Sequence, residues 1–483
     1  MNRHTALPLI ALLLAACATV PIPDIHLDPD SLAPAAPLTF EPPEVERVVM
    51  DNGLIVFLLE DHELPLLEVR TITRTGSIWD PPESVGLAGI AGTVMRTGGT
   101  SSMTGDELDD ELEFMAASIE TGVGLESGTA SLSCLMRDAD RCMELFADVL
   151  RDPAFRQEKI DLALNQTREG IRRRNDDPME LCRREFRWLV FGKDNPWVRL
   201  ESMESLDTIT QESLLAFHER WYHPNLTMMA VAGDFERDEM LALIDRHLGD
   251  WERVEVEIPA IPPAPEEVPA GIHFIHRPDV NQSNIRIGHL GLTRHDPDEY
   301  AVKVMNFIYG QSGFTSRLMR EVRSNRGLTY GIGGGLTEGT TRGFYYLVTF
   351  TKSETTGEII DVSLEVTRDF QESPPTPEEL RLAQESEANS FVFQFDSSIA
   401  IANQRMTLEH FGYPDDYLET HLDHIQAVTA EDVQRVAAAH IDLDDVVILV
   451  VGNEEEIGDQ LEQFGEVNRV PLLDFATGEQ IWP

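Results

Sequence analysis

One internal repeat limits what this chain can fold into more than any other feature. "ITQESLLAFHERWYHPNLTMMAVAGDF", from Ile209, and "VTAEDVQRVAAAHIDLDDVVILVVGNE", from Val428, follow the same plan. Each has a Thr cap, an amphipathic helix, a short polar crossing and an apolar strand closed by Gly. Thr210 pairs with Thr429 and Gly233 with Gly452, both 219 positions apart. The openings "GLIVFLLE" at Gly53 and "GIHFIHRP" at Gly271 match at 218. A repeat of this length is a whole domain, and 483 residues suffice for two cores. A proline cluster, "IPAIPPAPEEVPAG", stands between the copies. The expected organisation is therefore an N-terminal domain over 44–257, a linker over 258–270 and a C-terminal domain over 271–483.

Local patterns give each copy an α+β character. "VERVVMDNGLIVFLLED" places Asn52-Gly53 between two β-branched runs, which predicts a hairpin with a type I′ turn. In "TGDELDDELEFMAA", Thr104 and Glu107 stand in capping-box positions, with Leu108, Leu112 and Met115 on one helical face. "GTASLSCLM" alternates as a strand and "DADRCMELFADVL" as a helix. The expectation is an antiparallel-rich sheet with helices packed on one face, twice over.

Charge excludes some functions. Asp and Glu number 85 against 38 Lys and Arg, a formal −47, which opposes nucleic acid and anionic membrane surfaces. The beginning suggests export: Arg3, then an apolar run from Leu9 to Leu14, too short to span a bilayer. Leu14-Ala15-Ala16-Cys17 resembles the bacterial lipobox, so residues 1–17 are expected to be a lipoprotein signal and Cys17 the lipidated residue. Ala18, where Asp would favour inner-membrane retention, points to an outer-membrane anchor facing the periplasm. Prolines through 18–43 predict an extended tether. Cys134, Cys142 and Cys182 fit no zinc spacing and are expected to be buried, with at most one disulfide among them.

"GLAGIAGTVMRTGGT" at 86–100, the "DELDDELE" helix, the alternating strand and "NDDP" follow in an order that resembles the pitrilysin/insulinase family of zinc metallopeptidases, which includes mitochondrial processing peptidase. The resemblance covers about 44–460 and implies two domains of the metallopeptidase LuxS/insulinase-like type. Active members carry H-x-x-E-H on the first helix, two zinc-binding His and a Glu base, with a third ligand about 77 residues later. Aligned on Gly86-Leu87-Ala88, those positions hold Gly89, Gly92, Thr93 and Gly170. None can bind metal or accept a proton, and Glu169, one residue off, faces about 100° away on a helix. Arg168, Arg172, Arg173 and Arg174 disfavour a cation there and are expected to pair with acidic neighbours. His421 and His424, three apart without a nearby acidic ligand set, are expected to be surface histidines.

In the other half, "GQSGFTSRLMREVRSNRGLTYGIGGG" resembles the family's second-domain signature, in which an Arg and a Tyr seven positions later face the zinc. Arg323 and Tyr330 stand at that spacing, with Gly327 and Leu328 as in the family. Taken residue by residue, Arg323 could serve an ion pair and Tyr330 a core; the intact signature favours stabilising the oxyanion of an attacked peptide carbonyl. The resemblance further implies an edge strand that holds peptide, here Thr121, Gly122, Val123 and Gly124. A Gly-rich substrate loop is implied at Gly310 and Gly313, which would lend it mobility. A carbonyl-binding pair without metal ligands implies a partner chain that carries H-x-x-E-H and the zinc, with no cofactor bound here. The expected function is the non-catalytic, substrate-binding subunit of a heterodimeric zinc endopeptidase. The alternative is an inactive scaffold or peptide-binding envelope lipoprotein.

Overall fold

The computed structural model describes residues 42–481. The signal at 1–17, Cys17 and the tether as far as residue 41 lie outside the described residues. Among the described residues, no helix is long and apolar enough to cross a membrane.

The first half builds one sheet from β1 (Glu46–Val49), β2 (Ile55–Glu60), β3 (Leu66–Thr73), β4 (Ser118–Val123), β5 (Gly128–Leu135) and β6 (Thr227–Gly233). The second half supplies β7 (Gly271–His276), β8 (Gln282–Leu290), β9 (Leu292–Thr293), β10 (Ile332–Leu336), β11 (Glu338–Gly339), β12 (Phe344–Lys352), β13 (Val447–Gly452) and β14 (Asn468–Arg469). The sheet orders are β1-β2-β6-β3-β5-β4 and β10-β12-β8-β13-β7-β14, while β9 and β11 form a small separate pair. Five strands correspond one to one: β2, β6, β3, β5 and β4 with β7, β13, β8, β12 and β10. Even the strand senses agree, since β2 runs parallel to β6 and β7 to β13 and the other pairs are antiparallel. The copies differ at one margin. β1 folds back antiparallel onto β2, whereas the proline-rich approach to β7 forms no strand and β14 takes that edge.

The hairpin between β1 and β2 exists, but its turn is not type I′. Gly53 has φ +93, whereas Asn52 is not among the residues with positive φ. The Met50 carbonyl accepts from Gly53 N at 2.9 Å, and Met50 N donates to Leu54 O at 2.8 Å. The loop is therefore three residues long, a type I turn closed by a left-handed Gly. The capping box at Thr104 and Glu107 forms as the sequence predicts, and Leu108, Leu112 and Met115 are buried. Thr210 and Thr429 each cap their helix at equivalent places in the two halves.

Each sheet carries its own helices on one face and a helix of the other half on the opposite face. The Pro178–Phe191 helix of the first half lies on β8 and β13, in a cluster of Leu181, Phe186, Val190 and Phe191 with Ile275, Val447, Leu449 and Val451. The Ser398–His410 helix of the second half lies on β2, β3 and β6, where Ile399, Ala402 and Met406 meet Phe57, Ile72, Ala230 and Ala232. The donated helices begin 220 residues apart, so the exchange itself obeys the repeat. Asp177 fixes the start of the first one by accepting from Met179 N and Glu180 N, with Pro178 at the first helical position. The exchange explains why "MMAVA" in β6 and "VILVV" in β13 are apolar without alternation, since strands covered on both faces have no solvent side.

Phe186 is 2% exposed, sits 6.2 Å from the Phe344 ring, and its ring closes on Gly288 of β8. Phe186→Ala is expected to lower stability by about 3–5 kcal/mol. Calorimetry should show one cooperative transition before and after; two separated transitions would show that the halves unfold independently.

Candidate functional site

The helix Leu87–Thr97 starts where a metallopeptidase helix would, and it is held firmly. Gly86, at φ +104, precedes it, and the carboxylate of buried Asp80 accepts from Gly86 N at 2.9 Å and Ala88 N at 3.1 Å. Burial pushes the Asp80 carboxyl up to about 6, against those two bonds and nearby Arg199. Gly89, Thr93 and Gly170 are exposed, and nothing lies within 4 Å of a Cβ built on either glycine. Thr93 donates its hydroxyl to Gly89 O at 3.0 Å. Gly92 is different. It is buried, and a Cβ there would fall 2.3 Å from Val123 N and 2.7 Å from the Gly122 carbonyl carbon. The position of the general base is thus pressed against the sheet edge, with no room for a side chain. Three positions lack donors and the fourth lacks space, so these residues do not fit a zinc ion.

The same contact joins the helix to the strand expected to hold peptide. β4 is an edge strand, yet Thr121 donates its hydroxyl to Gly92 O at 2.7 Å, and Arg96 donates to Ile119 O at 3.0 Å. Val123 N abuts Gly92, Gly122 pairs with Thr129 of β5, and both backbone groups of Gly124 bond within the fold, to Ser127 and Ser77. Gly122 and Gly124 are thus engaged with their own strand and turn and Val123 packs on Gly92, while the bond of Thr121 to the helix is made by its side chain, on a strand that has no further strand beyond it.

A correction applies to Gly310. It is buried, and a Cβ would fall 2.4 Å from Gly334 N in β10, so it is a packing residue and contributes no mobility. Gly310 lies 218 residues after Gly92, the offset of the repeat. In each half, one glycine seats the first helix against the edge strand of its sheet. Gly313 is the exposed, left-handed residue of this stretch, at φ +58.

Arg323 and Tyr330 come together in the second half. Both line one cleft of about 510 Å³ that also includes Gln282, Phe350 and Lys352. Arg323 lies in the π-type turn Met319–Asn325, and its guanidinium stacks 4.3 Å from the Phe314 ring centroid. Among the described residues it has no carboxylate within ion-pair distance. Gly327, at φ +66, reverses the chain, with its N–H bonded to Arg323 O at 3.0 Å, and so returns Tyr330 to the cleft. Tyr330 is 82% exposed. The returning segment is pinned from β12: Thr351 donates to Leu328 O at 2.7 Å and Thr349 to Gly331 O at 3.1 Å. Both threonines are buried, at inward positions of "FYYLVTFTK". Their sequence signal was a hydroxyl where alternation calls for an apolar residue, and sequence reasoning passed over it. Arg317 holds the preceding segment to Glu379 through two bonds at 2.9 and 3.1 Å. Although burial pushes the Glu379 carboxyl up, Arg317 and Thr376 N prevail and hold it at about 2.

Comparison with known proteins decides the family. The insulinase (peptidase family M16) pattern matches residues 56–187, and the peptidase M16 inactive domain matches 208–387. The chain belongs to the insulinase family. Its zinc positions make it a non-catalytic member. It is 25% identical over 400 residues to an uncharacterized zinc protease of Mycobacterium leprae, covering 81% of this chain and 88% of that one. It is 21% identical over 401 residues to the non-peptidase homolog YmxG of Helicobacter pylori, covering 82% and 91%. A peptidase M16 inactive domain structure from Pseudomonas fluorescens superposes with a TM-score of 0.77 at 27% identity, over 85% of this chain and 98% of that one. The periplasmic protease PqqL of Escherichia coli, at 15% identity and a TM-score of 0.74, shares the fold over 86% of this chain and 46% of its own.

Other expectations are met or revised. Arg168 pairs with Asp207 at 2.8 Å, Arg172 with Glu169, and Arg174 with Glu201 at 2.6 Å, whereas Arg173 forms no ion pair among the described residues. Cys134, Cys142 and Cys182 are buried and free. His421 is not a surface residue: it lies on the apolar face with Leu418, Leu422 and Ile425, stacks 4.2 Å from Phe391, and burial pushes its imidazole down to about 3. The described residues do bring Asp296, Asp298 and His440 together, but Asp298 is already taken by Arg435 at 2.8 Å and His440 at 2.7 Å.

The glycines yield a contrast. Gly89→Ala, in an open helix interior, should stabilise by up to about 1 kcal/mol. Gly92→Ala should destabilise by about 1–3 kcal/mol because backbone must move. Introducing Gly89→His, Gly92→Glu and Thr93→His together should lower the melting temperature without creating a working zinc centre. Stoichiometric zinc by elemental analysis, at an unchanged melting temperature, would contradict this account.

Proposed function

We propose that this chain is the substrate-binding subunit of a two-chain zinc endopeptidase, paired with an insulinase-family subunit that carries H-x-x-E-H and the metal. The observation that carries the reading is Tyr330: a tyrosine 82% exposed, on a segment fixed from beneath by buried hydroxyls, beside an arginine that has no carboxylate partner among the described residues. An immobilised phenol and guanidinium opening on one cleft suit a peptide carbonyl. They would hold it in the ground state and bond more strongly as negative charge develops on its oxygen. In this arrangement the second half of this chain faces the first domain of the partner. The family's inactive domain match and the name of the Helicobacter relative support a non-catalytic role.

Reconstitution tests the pairing. The purified chain alone is expected to bind no stoichiometric zinc and to cleave nothing, whereas co-expression with an H-x-x-E-H partner should give peptide hydrolysis. Arg323→Ala or Tyr330→Phe should lower kcat by about 10²-fold with the melting temperature unchanged. Unaltered rates in both variants would remove the assigned roles, and zinc-dependent hydrolysis by the isolated chain would remove the larger claim.

The second part of the proposal is place. Lipidation at Cys17 would anchor the subunit to the outer membrane, facing the periplasm, and the Escherichia coli structural relative is a periplasmic protease. Cys17→Ser should move the protein from the membrane to the soluble fraction of a fractionated envelope. Equal membrane retention of the variant would count against the anchor.

A further inference from the structure

The cleft at Arg323 and Tyr330 has a second property that carbonyl binding does not require. Four other clefts on the described surface are each lined by at least one Asp or Glu. This one is lined by none, in a chain with 85 acidic residues. It contains two cations instead. Among the described residues, the Arg323 guanidinium has the Phe314 ring as its partner. Lys352, the exposed last residue of β12, has no side-chain partner among the described residues.

Lysine is scarce here, which makes that absence informative. The sequence has four. Lys159 pairs with Asp106 at 2.7 Å, Lys303 bonds Tyr417 at 2.9 Å beside Glu299, and Lys193 lies 5.0 Å from the Trp188 ring. Lys352 has neither an ion pair nor a ring contact among the described residues. Two cations opening on one cleft without a carboxylate in its lining favour an anion placed between them. The fold puts Lys352 at the right place to share one: it pairs with Gln282 across β8 and β12, one residue beyond Thr351, whose hydroxyl holds the Leu328 carbonyl two residues from Tyr330. Half-buried Phe350 also lines the cleft, as apolar surface beside the charges.

We propose that Lys352 and Arg323 form a carboxylate subsite, so that the chain selects extended peptides carrying a carboxylate close to the carbonyl held by Tyr330. The proposal rests on the peptide-binding reading above and adds the substrate class. The carboxylate has two sources, an Asp or Glu side chain or a free C-terminus, and both present the same planar anion to an ammonium and a guanidinium.

Fluorescence anisotropy on the purified full chain separates them. Three labelled peptides of one neutral core sequence serve as probes: one with an internal Glu and an amidated end, one neutral with a free C-terminus, one neutral and amidated. At least one carboxylate-bearing form is expected to bind about tenfold tighter than the neutral amidated form, and the form that does so names the source. Lys352→Met should abolish that preference while leaving the neutral peptide's affinity and the melting temperature unchanged, and Lys352→Arg should keep it. Equal binding of all three forms, or a preference that survives Lys352→Met, overturns the subsite and leaves peptide binding intact. Binding of none overturns the subsite and the peptide-holding function together.

Discussion

Everything in this molecule depends on the exchange of one helix between its halves. A mixed sheet with helices on a single face would leave Phe57, Ile72 and Ala230 exposed in the first half and Ile275, Leu449 and Val451 in the second. Each half buries the other's bare face with a single helix, and the faces are matched because the halves are copies. Neither sheet therefore has a complete core by itself. The exchange also orients the sheets, and so determines that the degenerate helix of the first half and the Arg323 cleft of the second belong to one continuous body rather than two tethered ones.

Within that frame, the loss of the zinc centre is a matter of packing as much as of ligands. In the second half, Gly310 lets its helix touch β10, and Asn306 completes the closure by donating to Leu336 O and accepting from Leu336 N, both at 2.8 Å. The first half has the same design: Gly92 touches β4, Arg96 takes the Ile119 carbonyl, and Thr121 takes Gly92 O. A Glu side chain at Gly92 would need the helix to stand further from its edge strand than it does here. In both halves a glycine allows the first helix to touch the edge strand of its sheet.

The sequence disclosed what is local and what is repeated. Capping boxes at Thr104, Thr210 and Thr429 can be read directly because a hydroxyl and its backbone donor lie three residues apart, and the 219-residue offset exposed the duplicate topology. It disclosed less about contacts across the chain. The expectation of helices on one face alone was incomplete: each sheet is also covered on its other face by a helix of the other half, and nothing local in the apolar runs of β6 and β13 says which helix provides that cover. Gly310 looked like a loop glycine because its partner, Gly334, is 24 residues away, and only the fold puts their backbones together. His421 shares that difficulty, since its burial comes from Phe391 on another helix. The turn at Asn52-Gly53 failed for a smaller reason: one Gly fits both hairpin types, and the register of β1 against β2 chooses between them.

Arg323 and Tyr330 were found by a family signature, yet the physics of their surroundings gives that signature meaning. Gly327 is needed because the chain must reverse with φ +66, a conformation that costs other residues about 1 kcal/mol or more. Thr349 and Thr351 are needed because the reversed segment carries carbonyls that must be satisfied where β12 meets it. Buried hydroxyls in a strand are a poor choice for stability alone, since a Val of similar shape would bury more apolar surface. Their presence makes sense where position matters more than burial: they fix the backbone on either side of Tyr330 and leave its ring in solvent. The second half therefore presents a fixed phenol and an adjacent guanidinium at one cleft, positioned by buried hydroxyls that stability alone would not favour.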